Sequence, residues 1–179
     1  RAGPAYGGSC FPKDTKAITT TADKFNTNLS VIKSVIKSNE NRSLLLLKRV
    51  FHLLKGKVKN KKICFLGVTF KANTDDMRDS SSLSMIPSLV RKGAKVNYYD
   101  PTGEKNEFKK IKNVNFSKNI KSAIKDSDLV IIHTEWNDFK TINFNKDVSN
   151  KKFILFDMRN IYSPVKMKDL KINYFGVGH

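Results

Sequence analysis

The chain has 179 residues, of which 39% are hydrophobic and 10% aromatic, enough for one good core with an appendage or for two small units. It has no apolar run of about 18 residues and no charged start followed by an apolar stretch, so neither a membrane span nor a secretory signal is expected. Two cysteines far apart in the sequence, Cys10 and Cys64, indicate a reducing compartment rather than a disulfide framework. We therefore expect a cytoplasmic protein.

The formal net charge is +18, which raises the possibility of a nucleic-acid-binding protein. Arginine occurs at only six positions, so lysine supplies most of the positive charge, and the lysines are spread along the chain. A dedicated nucleic-acid surface usually uses more arginine and clusters its charge. The composition favours a solvated lysine-rich surface, with an anionic small ligand such as a nucleotide as a further explanation of the charge.

Helical patterns fill the first third of the chain. Glycine and proline predict a loop over residues 1–13, followed by a helix over 14–25 with Asp14 as its N-cap. A longer helix over 30–55 has apolar residues at steps of three and four. Its run 44–47, LLLL, is apolar all round, which indicates a helix held between two domains or two subunits.

After residue 57 the pattern changes to short apolar runs alternating with helices. Strands are predicted over 62–68, 95–99, 113–116, 129–133, 153–156 and 172–175. Helices are predicted over 82–92 and 120–125. Apolar strands without alternation are typical of a parallel sheet covered on both faces. We therefore predict an α/β chain with long connector helices in 1–57 and a Rossmann-like parallel-sheet domain in 58–179.

Ligands of such sheets bind at the carboxyl ends of the strands, here the loops 69–82, 100–105, 134–138 and 157–163. The first strand is not followed by the G-x-G-x-x-G pattern, so this domain is not expected to bind NAD through that turn. The serines of 80–82 are expected to cap the next helix. His133 and Cys64 are interpreted as buried core residues, and the histidines lack the neighbours of a zinc site.

The segment GPAYGGSCFPKDT places Cys10 among glycines, close to Lys13 and to a helix start. These features favour a thiolate nucleophile, although a structural cysteine at a helix start remains the alternative. Three cations lie in the strand-end loops, and from the residues alone a solvent lysine at Lys71 and a local ion pair at Arg78 are favoured. Lys71 is a phosphate ligand or a solvent lysine, Arg78 has acidic neighbours in sequence, and Arg159 is a ligand-binding or a surface arginine.

Together these motifs resemble the UDP-glucose/GDP-mannose dehydrogenase family. The resemblance rests on GPAYGGSCFPKDT and GVTFKANTDDMRDSSS, and it continues through AKVNYYDP, HTEWNDF and FDMRN. The form GSCFPKDT is most similar to the members that act on UDP-glucose. The resemblance implies a two-step, NAD-dependent oxidation of the C6 alcohol of UDP-glucose to the carboxylate of UDP-glucuronate, through a cysteine thiohemiacetal and thioester.

The resemblance also assigns roles to individual residues. Cys10 would be the catalytic nucleophile, and Asp14 would activate water and steer protons. The implied substrate-binding residues are Arg1, Ala2, Gly3, Pro4, Ala5, Tyr6, Gly7, Phe70, Lys71 and Arg159. The implied NAD-binding residues are Cys10, Phe11, Pro12, Lys13 and Arg78.

Two departures from the family pattern accompany this assignment. Ala5 stands where the family usually has glycine, and its methyl group would slightly crowd the sugar loop. The family's N-terminal NAD-binding domain has no counterpart in this sequence, so the chain is expected to be inactive as a dehydrogenase by itself. Family members dimerise through the connector helices, and a homodimer is expected here. A non-catalytic sugar-nucleotide-binding or assembly module and a nucleic-acid-binding protein are the alternatives.

Overall fold

The computed structural model describes residues 3–178 and forms two helices followed by a six-stranded sheet. The helices before the sheet are α1 (Cys10–Lys24) and α2 (Ser30–Leu53). The strands are β1 (Lys62–Leu66), β2 (Lys95–Tyr99), β3 (Val114–Phe116), β4 (Leu129–Ile132), β5 (Ile154–Asp157) and β6 (Asn173–Gly176). The remaining helices are α3 (Ser82–Arg91), α4 (Asn106–Lys109), α5 (Ile120–Ile124), α6 (Phe144–Asp147) and α7 (Pro164–Asp169), with a 3₁₀ turn over Asn137–Thr141.

All neighbouring strands pair in parallel, in the order β3-β2-β1-β4-β5-β6. This is the strand order of a doubly wound Rossmann sheet, so the predicted fold class is confirmed. The order reverses direction between β1 and β4, and in such sheets the ligand crevice opens at the carboxyl ends of those two strands.

Side chains of the central strands alternate between two separate apolar clusters, one on each face of the sheet. Ile63 and Phe65 of β1 pack on one face, while Cys64 and Leu66 pack on the other. This arrangement explains why the strands read as continuous apolar runs. Val50 and its apolar neighbours in the second half of α2 pack into the first cluster, against the sheet and α3.

The structure differs from the sequence-based expectation at helix ends and short helices. The predicted start of the first helix at Asp14 is wrong, since α1 begins at Cys10 with Ser9 at its N-cap position. Pro12 is compatible with this earlier start because the N–H groups of a first helical turn have no partner inside the helix. The helices α4, α6 and α7 were not predicted because four to six residues are too few to show a helical period.

Gly67 ends β1 at the point where the crevice opens. Its φ is +74°, and a Cβ at this position would lie 2.4 Å from the Cβ of Thr134, just after β4. A glycine is therefore needed for the ends of β1 and β4 to approach each other. Across residues 3–178, no helix is both long enough and apolar enough to cross a membrane.

Candidate functional site

The glycine-rich segment before α1 docks on the loop that follows β1. The backbone N–H of Gly8 donates to the carbonyl of Arg78 at 2.9 Å. A Cβ at Gly7 would lie 2.7 Å from the carbonyl oxygen of Asp79. A Cβ at Gly8, where φ is +84°, would lie 2.8 Å from the ring of Phe70. Both glycines are therefore required for the two loops to meet.

The docked loops and α2 enclose a cavity of about 410 Å³. Its lining residues are Gly3, Ala5, Tyr6, Gly7, Asn39, Arg42, Phe70, Lys71 and Arg159. Seven of these are among the residues predicted to bind substrate, and Pro4 is buried in the same segment. Arg1 and Ala2 lie outside the described residues. Three lining side chains are cationic, and none of those described as lining the cavity is acidic.

Arg159 joins the strand-end loops beneath this cavity. Its Nε donates to the carbonyl of His133 at 2.9 Å, and its Nη2 donates to the carbonyl of Phe70 at 2.6 Å. The carboxylate of Glu135 lies 2.9 Å from Nε. Burial lowers the pKa of Arg159 and the Glu135 charge opposes that shift, yet an arginine remains protonated at any ordinary pH. Arg159 is thus a largely buried, paired cation and not the surface arginine of the alternative interpretation.

Lys71 is exposed at the mouth of the cavity. Its Nζ lies 5.3 Å from the centroid of the Phe70 ring, within cation–π range. Among the residues that the structure describes, no carboxylate lies within ion-pair distance of Lys71. The amine is therefore available to an anionic ligand.

Cys10 is exposed at the first position of the 15-residue helix α1. Its Sγ lies 3.6 Å from the hydroxyl of Ser9. Arg78 is near enough for Cys10 to contribute to the raised pKa of its guanidinium, after the larger effect of Asp76. The start of a helix and the guanidinium of Arg78 thus both lie close to the Cys10 thiol. Cys10 is absent from the residues that line the 410 Å³ cavity.

Asp76 holds Arg78 in a two-point pair. Its two carboxylate oxygens accept from Nε and Nη2 of Arg78 at 2.9 and 2.8 Å. The hydrogen bond from Arg78 is the main cause of the lowered pKa of Asp76. The pair fixes the direction of an exposed guanidinium beside the thiol, which leaves Arg78 open to a ligand as well.

Asp14 lies inside α1, so it does not cap the helix. Its carboxylate pairs with the amine of Lys13 at 3.2 Å, and both side chains are largely exposed. Residues four apart lie on the same face of a helix, so Asp14 is on the face of Cys10, one turn further along. Phe11 is exposed and meets the ring of Tyr6 edge-on at 4.7 Å.

A buried polar network behind the crevice was only partly expected. The hydroxyls of Ser80 and Ser82 both donate to the carbonyl of Val68 at 2.6 Å, and Ser81 pairs with His133. The predicted capping role of these serines is wrong except for a long contact of 3.4 Å between Ser82 N and Ser80 Oγ. The hydroxyls instead anchor the N-terminus of α3 to the end of β1.

The hydrogen bonds of this network determine the tautomer of His133. The hydroxyl of Thr134 donates to the carbonyl of Thr69 at 2.8 Å, so it accepts from the protonated Nδ1 of His133 at 3.1 Å. Nε2 then accepts from the Ser81 hydroxyl at 2.8 Å. Burial, with a smaller contribution from the Arg159 charge, lowers the pKa of His133 to about 3. His133 is therefore a neutral core residue, as predicted.

Asp100 follows β2 at the position where many dinucleotide-binding domains hold a ribose. Here its Oδ2 accepts from the backbone N–H of Val68 at 2.9 Å, and its Oδ1 accepts from Thr102. The side chain is fully buried, with Lys105 at 3.8 Å. The carboxylate thus stabilises the loop after β1.

Asn39 and Arg42 line the cavity and were missed by the sequence analysis. Both lie on α2, whose apolar spacing drew attention to the core-facing residues. Nothing in a helical period marks which polar positions face a loop folded back from 33 or 39 residues earlier.

The comparison with known families agrees with this geometry. The sequence model for the UDP binding domain of the UDP-glucose/GDP-mannose dehydrogenase family matches residues 64–164, more than half of the chain. The model for the central domain of the same family matches residues 1–41. The chain belongs to the UDP-glucose/GDP-mannose dehydrogenase family. The resemblance stated from the motifs is therefore confirmed.

Several relatives within this family are similar over nearly the whole chain. The UDP-glucose 6-dehydrogenase of Rhizobium meliloti is 38% identical over 178 residues, and that of Rickettsia felis is 37% identical over 180. These matches cover 99% of this chain but only 41% and 40% of the two relatives. The chain thus spans about two fifths of the length of the relatives that it matches.

Solved structures of the family have the same fold. A UDP-glucose dehydrogenase from Pyrobaculum islandicum superposes with a TM-score of 0.76 at 26% identity, covering 88% of this chain and 35% of that one. A UDP-D-ManNAc dehydrogenase from Pyrococcus horikoshii superposes with a TM-score of 0.78 at 25% identity, covering 98% and 39%.

Proposed function

We propose that this chain provides the sugar-nucleotide site and the catalytic thiol of an NAD-dependent UDP-glucose 6-dehydrogenase. The supporting observation is that the family motif segments 3–7 and 70–71 meet Arg159 around one cavity of about 410 Å³. That volume lies within the range typical of small-ligand pockets. The relatives that are 38% and 37% identical over nearly the whole chain are UDP-glucose 6-dehydrogenases, which favours UDP-glucose as the substrate.

In this proposal the cavity binds the sugar nucleotide through its cations and its glycine-rich wall. Lys71, an exposed amine without a carboxylate partner among residues 3–178, binds the diphosphate. The segment 3–7 contacts the substrate through backbone groups that glycine leaves accessible. Arg159 holds the floor of the site and contacts the substrate at its exposed edge.

The residues beside the thiol fit a dinucleotide phosphate, because Asp76 holds the exposed guanidinium of Arg78 next to Cys10. Residues 10–13 and Arg78 would hold the cofactor there. When bound, NAD+ supplies the hydride acceptor for both oxidations, from alcohol to aldehyde and from thiohemiacetal to thioester.

Cys10 acts between these two oxidations. Its thiolate forms a bond to the aldehyde carbon, the π bond of the carbonyl breaks, and the oxygen takes up a proton from water, which gives the thiohemiacetal. After the second oxidation the adduct is a thioester, and water attacks its carbonyl carbon. The carbon–sulfur bond then breaks, which releases the carboxylate product and regenerates the Cys10 thiol. Asp14, one helical turn from Cys10, accepts the proton of that water.

Calorimetry of the chain with UDP-glucose tests the binding part of this proposal. Saturable binding is expected, and Lys71→Ala should weaken it about tenfold or more because a charge-assisted contact to the diphosphate is lost. Lys168→Ala, which removes the same charge from α7, is the matched control and should bind as the parent does.

Duplex DNA is the second ligand in this experiment. Absence of UDP-glucose binding together with tight, steeply salt-dependent DNA binding would contradict the proposal and favour a nucleic-acid-binding protein. Equal affinity of the parent and Lys71→Ala for UDP-glucose would contradict the assigned role of Lys71.

A further inference from the structure

Two side chains of α2 complete the wall of the 410 Å³ cavity that the strand-end loops leave open. Asn39 and Arg42 lie three residues apart, so they project from the same side of the helix. Both contact the backbone of the glycine-rich segment, although 33 and 39 residues separate them from it in sequence. The helix α2 is therefore a direct part of this site.

Asn39 fixes the glycine-rich segment without adding charge. Its side-chain oxygen accepts from the backbone N–H of Tyr6 at 2.8 Å, and its side-chain nitrogen donates to the carbonyl of Tyr6 at 3.0 Å. This two-point contact satisfies both backbone polar groups of one residue. Asn39 thus has a complete structural role.

Among residues 3–178, Arg42 makes only one such contact. Its Nε donates to the carbonyl of Gly3 at 3.0 Å, which leaves the N–H groups of its two terminal nitrogens. Arg159 also lies against Gly3, with its Nη1 so close that a Cβ on Gly3 would stand 2.7 Å from it. Two guanidinium groups therefore flank the first described residue of the segment.

The charges around the cavity are unequally compensated. Arg159 has the carboxylate of Glu135 at 2.9 Å. Within the described part of the chain, neither Arg42 nor Lys71 has a carboxylate within ion-pair distance. The cavity therefore has two cations without an ion-pair partner among residues 3–178, one on α2 and one on the loop after β1. A bound anion stabilises a half-buried guanidinium that has no counter-ion.

We propose that Arg42 is a phosphate-binding residue of this cavity and that its ligands are diphosphate esters, with Lys71 as the second cation. The inference rests on the proposed function for the nucleotide part of the ligand. Both cations line the same cavity, so together they supply two positive charges for a diphosphate, and the guanidinium offers the paired donors that suit phosphate oxygens.

The test measures inorganic pyrophosphate, UMP and UDP binding to the chain by calorimetry. Arg42→Ala should weaken UDP and pyrophosphate about tenfold or more, and UMP less, because UMP has one phosphate for two cations. Arg42→Lys should restore part of the affinity. Lys37→Ala, which removes the same charge from an exposed position of α2, is the matched control and should leave all three affinities unchanged.

Asn39→Ala separates phosphate binding from mere support of the loop. It loosens the glycine-rich segment without a change of charge, so it should weaken UMP and UDP by similar factors. If Arg42→Ala also weakens UMP and UDP equally, Arg42 is a loop support and the inference is wrong. Circular dichroism and thermal unfolding of each variant identify any that fails to fold. If Arg42→Ala fails to fold, the losses of UMP and UDP affinity are compared in Arg42→Lys instead.

Failure of this inference is distinguishable from failure of the proposed function. Arg42-dependent binding of pyrophosphate, with UDP no tighter, would support the phosphate site and contradict the nucleotide ligand. UDP binding that depends on Lys71 and not on Arg42 would contradict this inference alone. If none of the three ligands binds to the parent chain, both proposals are overturned for it.

Discussion

Cys10 and Cys64 have the same side chain but differ in exposure and in expected reactivity, because they lie at different places in the fold. Cys64 lies in β1 with no exposed surface, and burial raises the pKa of its thiol. Cys10 is exposed at the start of α1, with the Arg78 guanidinium nearby. The reactive form of a cysteine is the thiolate, so both exposure and charge favour reaction at Cys10.

We predict that iodoacetamide at neutral pH modifies Cys10 at least about a hundredfold faster than Cys64, because Cys64 must first be exposed by unfolding. Mass spectrometry of tryptic peptides over time measures both rates. The fast phase should vanish in Cys10→Ser and persist in Cys64→Ser. Equal rates at the two cysteines in the folded chain would be inconsistent with Cys10 as the activated nucleophile.

His133 should make the stability of the chain depend on pH. Its pKa is about 3 in the folded protein against 6.5 in its ordinary state, so the unfolded chain binds the extra proton between these values. Above pH 6.5 His133 is uncharged in both the folded and the unfolded chain, so its contribution to the free energy of unfolding has its full value there. This contribution falls by about 1.4 kcal/mol per unit as the pH drops below 6.5, until the folded pKa is reached.

Urea unfolding of the parent and of His133→Gln at pH 7.0, 6.0, 5.0 and 4.5 tests this prediction. The variant should be less stable than the parent at pH 7.0. Its free energy of unfolding should fall less on acidification, because it lacks the His133 side chain that takes up a proton in the unfolded parent. His52→Gln, at an exposed position of α2, is the control and should retain the pH dependence of the parent. An unchanged pH dependence in His133→Gln would show that other groups are responsible.

At the scale of elements, α2 serves three environments along its length. Its second half packs into the core below the sheet, Asn39 and Arg42 face the cavity, and apolar side chains remain outside. Val31, Val35 and Leu45 are 75%, 44% and 59% exposed. They lie on one side of the helix, since fourteen residues make about four helical turns, and Arg42 lies on that side too, so the stripe borders the cavity. Such an unpartnered stripe supports the predicted dimer, which remains a proposal.

We predict that the chain is a dimer at tens of micromolar and that Leu45→Glu shifts it to monomer, because a carboxylate would then be buried in the interface. Light scattering gives the mass of each. The control, Lys48→Glu, changes an exposed charged position of the same helix and should leave the dimer intact. A parent chain that is monomeric at this concentration would rule out the dimer.

At the scale of the whole molecule, the site is assembled from segments that are distant in sequence. Residues 3–7, α2, the loop after β1 and the loop after β5 each contribute to one cavity. The chain has a net charge of +18, but only three cationic side chains line this cavity. Many of the other lysines lie on the surface. Total charge therefore says less about the ligand than the position of a few uncompensated groups.

The sequence by itself determined the α/β class, the six strands and the functional motifs. Continuous apolar runs specify strands that are buried on both faces, and the glycines of the first motif allow a positive φ at Gly8 and a close backbone approach at Gly7. The long helix α2 was also predictable, because 24 residues give its period many repeats.

Only the tertiary structure decided which polar side chains meet. The tautomer of His133, the use of Asp100 and the buried serines to hold the loop after β1, and the arrival of Asn39 and Arg42 at the cavity all depend on contacts across twelve or more residues. A local pattern records the preference of each segment for a conformation, whereas a hydrogen bond between distant segments depends on the packing of the whole sheet. The sequence thus identified the loops of the site, and the packing of α2 against them placed its cations.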